Sequence, residues 1–349
     1  MNRIAIGDRF VGEREPVMIV AELSGNHNGD YERAVALVHA AAEAGADAVK
    51  LQTYTADTIT IDCDKPYFQL NRGTLWDGTT LYKLYQEAYT PWEWHEGLAA
   101  EAKKCGMLCF SSPFDPTAVD LMERLEMPAF KIASFEITDV PLIRYAASKG
   151  KPVILATGIA HAEDIRAAVD AIRQQGNENI ILLKCVSAYP TPYEDVNLRM
   201  MPGLGETYGV QYGLSDHTPG STVAVAAAAM GARMIEKHLT LKRADGGPDA
   251  AFSMEPEEFA DMVRQVRIVE KALGSAGYAL TEKQETERAL ARSLFVVQNI
   301  RKGEVFTDRH VRSIRPGYGL SPARLDEVLG KKATRDIERG EPLREGDFE

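Results

Sequence analysis

The chain is 349 residues long, 45% hydrophobic, and carries a formal net charge of −11. That length and apolar content suffice for a large core and imply two domains, or one large domain with an appendage. The acidic balance argues against binding a phosphate backbone, so no nucleic-acid partner is expected, and any lysine cluster inside the fold needs a local reason.

The N-terminal stretch MNRIAIGDRF lacks the apolar core of a signal peptide. From residue 17 to about residue 272 one rhythm recurs: a short run rich in Val, Ile and Leu, then polar residues, then an Ala-rich amphipathic stretch. The strand candidates are VMIVAEL (17–23), DAVKLQT (47–53), LCFSSP (108–113), AFKIAS (129–134), PVILAT (152–157), IILLKCV (180–186), VQYGLSD (210–216) and MIEKHLT (234–240). Helical patterns such as YERAVALVHAAAEAG (31–45) and AEDIRAAVDAIRQQG (162–176) separate most of them, with Gly45 and Gly176 placed where helices end. Segment 54–90 is too long for an ordinary loop between strand and helix. It carries Trp76, Tyr82, Tyr85 and Tyr89, and reads as a structured insertion over the mouth formed by the strand ends. The most apolar run, 222–235, is short, Ala-rich and holds Arg233, so no membrane span is expected.

Eight strands alternating with helices predict a (β/α)8 barrel, the TIM-type architecture. The rival is a doubly wound open sheet, weakened by the lack of a Gly-x-Gly-x-x-Gly loop after the first strand. The pattern changes near residue 273. The expected organisation is a barrel domain over 1–275, a linker over 276–290 and a small β-rich domain over 291–349. That last part contains an echo: NIRKGEVFTDRHV (299–311) resembles DIERGEPLREGDF (336–348), each reading as strand, turn, strand. So small a domain is marginal alone and is expected to lean on something else. The four cysteines, Cys63, Cys105, Cys109 and Cys185, include one close pair without a second, which does not make a zinc site. Scattered thiols suit a reducing compartment, so a soluble cytoplasmic protein is expected.

Barrel enzymes carry their chemistry at the C-terminal ends of the strands. Polar groups stand there on nearly every strand: Glu22, Lys50 with Gln52, Ser112, Lys131 with Ser134, Thr157, Lys184, Ser215 with His217, and Glu236 with His238. Residues two apart face the same way, so these pairs can share one mouth. Lys50, Lys131 and Lys184 in apolar strands point to an anionic ligand, a phosphate or a carboxylate. The alternative is that each pairs with a fixed acid such as Glu22, Glu136 or Glu236. His217 and His238, on the last two strands and beside carboxylates, suit ligands of a divalent metal with positions left open for water or substrate. Imidazole favours zinc or iron and oxygen-rich partners favour manganese or magnesium, so the residues alone leave the ion open. His39, His95 and His161 sit on helical patterns and read as surface or packing residues, and His27 as a loop-ordering or substrate-contacting one.

The stretches AELSGNHNGD, VKLQTY, FSSPFD, KIASFEI, YPTPYED, GLSDHT, EKHLTL, GGPD and IRPGYG, in that order, resemble the sialic acid synthase family from end to end. The C-terminal part is similar to the antifreeze-like, or SAF, domain of those enzymes. The family condenses phosphoenolpyruvate with an N-acyl amino sugar and releases phosphate. The resemblance implies that His217 and His238 hold a Mn2+ or Mg2+ ion. It implies that phosphoenolpyruvate meets Lys50, Gln52, Ser112, Lys131, Ser134, Lys184, Ser187 and Ser215, with Thr157 or a backbone N–H serving where Ala156 replaces the family's usual serine. Glu22 matches the glutamate that handles protons on the sugar; Glu136, Tyr189 and Asp249 match positions that contact it. Arg315 matches an arginine that reaches the active site of the partner subunit, in a homodimer with swapped C-terminal domains. Lys184 and Ser187 replace the histidine and asparagine usual in the sialic acid branch, and the chain is more similar to the pseudaminic acid branch. The rivals are a metal-dependent sugar isomerase or aldolase on the same scaffold, and a non-catalytic binding protein.

Overall fold

The computed structural model describes residues 2–71, 73 and 75–349. The chain divides into two compact units, Met1–Gly274 and Ser275–Glu349.

In the first unit a short hairpin comes first, β1 (Ile4–Ile6) and β2 (Arg9–Val11), turning at Gly7 with φ 60°. Eight parallel strands follow: β3 (Met18–Glu22), β4 (Ala48–Thr53), β5 (Leu108–Pro113), β6 (Phe130–Ile132), β7 (Val153–Ala156), β8 (Ile180–Lys184), β9 (Gln211–Asp216) and β10 (Met234–His238). They close into a barrel in chain order, β10 pairing back onto β3. Every one lies inside its predicted run. The (β/α)8 barrel is therefore the observed architecture, and the open sheet is excluded.

Strand parity separates two cores. Val20, Ala48, Phe110, Ala129, Ile154, Ile181, Leu183 and Met234 point inward, and Ile4, Ile6 and Val11 of the hairpin join the same cluster. Ile19, Val49, Leu51, Ile132, Leu155, Leu182 and Ile235 point outward and pack against the helices. The hairpin, absent from the expectations, thus extends the interior of the barrel. Phe110 is fully buried there, and truncation to Ala would cost about 3–5 kcal/mol.

The helices begin and end as the sequence implies. In α1 (Tyr31–Glu43) the Asp30 side chain accepts from the backbone N–H groups of Glu32 and Arg33, and Gly45 follows the end with φ 85°. The 54–90 insertion folds into α2 (Ala56–Ile59), a 3-10 turn (Pro66–Phe68) and α3 (Leu81–Ala88). Tyr82 Oη donates to Asp57 at 3.0 Å, tying α3 to α2. No helix among the described residues is long and apolar enough to cross a membrane.

The second unit takes in the stretch expected as a linker, where Glu282–Glu287 is helical and capped by Thr281. Its core gathers Leu294, Val296, Ile300, Phe306, Val311, Val328, Ile337 and Leu343 around an antiparallel pair, Ser293–Val296 with Val311–Ile314. The sequence echo has a structural counterpart. Ile300 and Ile337, equivalent in the two copies, exchange backbone hydrogen bonds of 3.0 and 2.9 Å. Glu304 accepts from Arg301 N and Glu341 from Glu338 N, both at 2.8 Å, over turns containing Gly303 and Gly340. The repeats form isolated bridges rather than the strand–turn–strand pairs expected of each.

Candidate active site

Carrying the inward parity to the strand ends brings polar groups together at one mouth. The register sets His238 beside Glu22 and Glu22 beside Lys50. A cavity of about 470 Å3 opens there, lined by Glu22, Lys50, Gln52, Lys131, Ser134, Glu136, Tyr189, Ser215, His217, Glu236, His238 and Asp249. All twelve were singled out in the sequence.

Its floor is ionic. Lys50 Nζ lies 2.7 Å from Glu22 and 3.5 Å from Glu236, and Lys131 Nζ 3.9 Å from Glu236. Lys50 also donates to Ser112 Oγ at 3.3 Å, so Ser112 sits behind the lysine rather than on the cavity wall. Ser215 Oγ donates to Glu236 at 3.1 Å, and Gln52 donates to Glu22 at 2.8 Å. Ser24 Oγ donates to Asp249. Burial pushes Glu22 up to about 7 against the opposing pull of Lys50. Burial likewise lifts Glu136 to about 7. Lys131 is lowered by burial despite Glu236, while Lys50 is raised because its two carboxylates outweigh its burial.

Ser134 and Ser187 converge on Gly158, where a Cβ would come within 2.3 Å of Ser187 Oγ and 2.4 Å of Ser134 Oγ. Only glycine leaves both hydroxyls in place.

In the same mouth stand the two histidines, ring centroids 5.3 Å apart, with Tyr189 4.3 Å from His217 and Phe252 5.0 Å from His238. His217 Nδ1 is 2.9 Å from the Val186 carbonyl, which can only accept, so Nδ1 carries a proton and Nε2 is the ring nitrogen left to meet an ion. His238 Nδ1 is buried without a hydrogen-bond partner, and burial holds that ring well below its ordinary pKa, hence neutral. Two imidazoles side by side, one of them oriented by the Val186 carbonyl, fit a divalent ion. Among the described residues no group of three or more His, Cys, Asp or Glu is arranged to hold one, so its other donors would come from water or substrate.

Two expected residues face elsewhere. Thr157 shares the outward parity of Leu155 and donates to the Leu183 carbonyl at 3.1 Å. Lys184 shares that of Leu182; its Nζ donates to the Cys185 carbonyl at 2.8 Å, and it borders a separate small cleft. The inward places belong to Ala156 and Cys185, which line the cavity. Cys185 Sγ lies 3.9 Å from His217 Nδ1. Counting two residues on from the inward Leu183 would have found it. Arg315 is exposed in the C-terminal unit and follows β12 (Val311–Ile314, with β11 the paired Ser293–Val296).

Ile59, Leu70, Leu81, Leu84 and Tyr85 of the insertion form an apolar wall over the ionic floor. Trp76 donates its indole N–H to the Pro248 carbonyl at 2.8 Å and packs on Tyr189 at 5.6 Å. His27 and His95 stand outside the cavity. Both are buried, His95 against Thr53 Oγ1 at 2.8 Å and His27 against Thr90 Oγ1 at 3.2 Å, which makes them packing residues. The site can thus bind a small anion at its floor, orient a second, less polar substrate beside it, and hold a cation between the histidines.

The NeuB family model matches residues 37–278, and the SAF domain matches residues 291–349. The chain is 46% identical over 332 residues to a pseudaminic acid synthase of Campylobacter jejuni, covering 95% of this chain and 96% of that one. It is 46% identical over 336 residues to the pseudaminic acid synthase of Helicobacter pylori, covering 96% and 98%. Among solved structures, an N-acetylneuraminic acid synthetase of Leptospira borgpetersenii in complex with citrate superposes with a TM-score of 0.73 at 31% identity, covering 82% of this chain and 95% of that one.

Proposed function

Since the chain belongs to the NeuB family and ends in a SAF domain, we propose that it is a pseudaminic acid synthase, an enzyme of carbohydrate biosynthesis. It condenses phosphoenolpyruvate with 2,4-diacetamido-2,4,6-trideoxy-L-altrose and water, giving pseudaminic acid and phosphate. The observation that carries this reading is the pairing, in one cavity, of two buried lysines with two adjacent imidazoles.

Lys50 and Lys131 neutralise the phosphate and carboxylate and hold phosphoenolpyruvate in register with the acceptor. Ser134, Ser187 and the backbone at Gly158 offer a cradle for the phosphate oxygens. Mn2+ or Mg2+, held by His217 and His238, would polarise the aldehyde of the open-chain sugar. C3 of phosphoenolpyruvate attacks the aldehyde carbon. The positive charge that develops at C2 faces Glu22 and Glu236, whose negative charge favours it. Water adds at C2, and C–O cleavage releases phosphate. Glu22, with a pKa of about 7, is suited to exchange a proton with the acceptor near neutral pH. Glu136, Tyr189 and Asp249 surround the acceptor, and the apolar wall suits a deoxy, N-acylated sugar better than a fully hydroxylated one.

A homodimer that swaps its SAF domains, with Arg315 completing the partner subunit's site, belongs to the same proposal, as does a cytoplasmic location. Phosphate release from phosphoenolpyruvate with Mn2+ is the test, run with the altrose compound, the corresponding trideoxy-mannose and N-acetylmannosamine. Turnover with the altrose compound alone supports the reading. Preference for a mannose-type sugar moves the enzyme to the legionaminic or sialic branch. No phosphate from any of them removes the function.

A further inference from the structure

We propose that Asp216 and Lys237 are a positioning clamp that sets the separation of His217 and His238, the two residues that immediately follow them on neighbouring strands. Their side chains are each 1% exposed, and Lys237 Nζ lies 2.6 Å from Asp216 Oδ2. The register places Lys237 directly opposite Asp216. Both point outward, away from the cavity, and neither lines it, so they have no route to substrate.

Along most of its length the outward face of the barrel is apolar, as at Leu51, Leu155 and Leu182, and the polar Thr157 and Lys184 at its strand ends bond to backbone carbonyls. A buried ion pair is no more stabilising than packed apolar residues of the same volume, and its best-attested use is to fix one geometry. Here that geometry is specific. The Lys237 ammonium also donates to the Thr218 carbonyl at 2.6 Å. Asp216 Oδ1 accepts from Thr218 N at 2.9 Å and from Thr218 Oγ1 at 2.8 Å. The residues on both sides of His217 are therefore bound to one ammonium, and that ammonium belongs to the residue before His238. His217 cannot shift along the chain direction without breaking bonds between buried groups. The His217 ring is oriented separately by Val186 O, so the clamp sets position rather than rotation.

The inference rests on reading the histidines as an ion site. The test is Mn2+ affinity of the full chain, followed by loss of the free-ion paramagnetic resonance signal, with thermal unfolding in parallel. Asp216→Asn with Lys237→Met removes both charges and keeps an acceptor for Thr218 N. It is expected to stay folded and bind Mn2+ about 10–100-fold more weakly, the usual effect of losing groups that position metal ligands. Thr218→Val leaves both charges and removes one bond; the expected loss is about fivefold. This mild variant decides the matter if the double variant fails to fold. Folded variants with wild-type affinity overturn the clamp while leaving the ion site. A wild-type chain that binds no Mn2+ overturns the ion site and the clamp with it.

Discussion

Lys50 and Glu22 occupy directly paired positions on β4 and β3, and their charged atoms meet at 2.7 Å with both side chains buried. Glu236, on β10, shares the same lysine at 3.5 Å. A phosphoenolpyruvate that binds Lys50 must therefore compete with carboxylates already there, and removing the lysine strands Glu22, while Glu236 keeps Lys131 at 3.9 Å.

Lys50→Met is expected to destabilise the chain by about 3–5 kcal/mol, because it leaves the buried Glu22 without its cationic partner. Glu22→Gln should cost less, since burial already holds Glu22 at about 7 and its neutral form is close to hand. Urea unfolding of the two variants at pH 7 checks the asymmetry. Equal losses would mean that Lys50 is not the member that neutralises the floor.

The two faces of the barrel predict opposite outcomes for two lysines. Lys131→Met should lower kcat/KM for phosphoenolpyruvate by about a hundredfold or more, the effect of deleting a charge that meets the phosphate or carboxylate. Lys184→Met should change it by less than about threefold, as its ammonium serves the Cys185 carbonyl. Steady-state kinetics with phosphate detection separates them, and a large effect at Lys184 would return it to the substrate site.

His217→Ala and His238→Ala are each expected to abolish turnover while far-ultraviolet dichroism and the unfolding midpoint show a folded barrel. Chelation of the wild-type enzyme should have the same effect, reversed by Mn2+ or Mg2+. A His217→Ala enzyme that turns over without metal would contradict the assignment of the ion.

Gly158→Ala adds a Cβ 2.3 Å from Ser187 Oγ and 2.4 Å from Ser134 Oγ. Both hydroxyls must move, so KM for phosphoenolpyruvate should rise at least about tenfold with little change in the unfolding midpoint. An unchanged KM would separate these serines from the phosphate.

Glu136 gives a pH signature. Its folded pKa of about 7 lies above the ordinary 4.5, so its contribution to stability is complete below pH 4.5 and is lost as pH rises through 7. Glu136→Gln should remove a decline of about 3 kcal/mol between those limits. Glu22 has the same sign and leaves a residual slope. Denaturation midpoints from pH 4.5 to 8 measure the difference, and an identical profile in the variant would contradict the burial of a neutral Glu136.

The eight strands, their order and most of the mouth were legible in the chain, because a parallel barrel repeats one apolar run per strand and ends it on polar residues. The histidines, Lys50, Lys131, Glu22 and Glu236 stood out as charges where apolar residues prevail. Inward and outward were harder to read. Both faces of a parallel strand are buried, so the alternation that separates core from solvent is missing, and Lys184 and Cys185 are equally plausible until closure fixes parity. Closure alone turned Ala156 and Cys185 into the cavity and sent Thr157 and Lys184 out of it. The hairpin that joins the interior of the barrel, the choice of which residues of the insertion face the cavity, and the meeting of Asp216 with Lys237 are likewise products of tertiary structure. Each is a contact between segments distant in the chain, which local pattern does not encode and only the closed barrel brings within bonding distance.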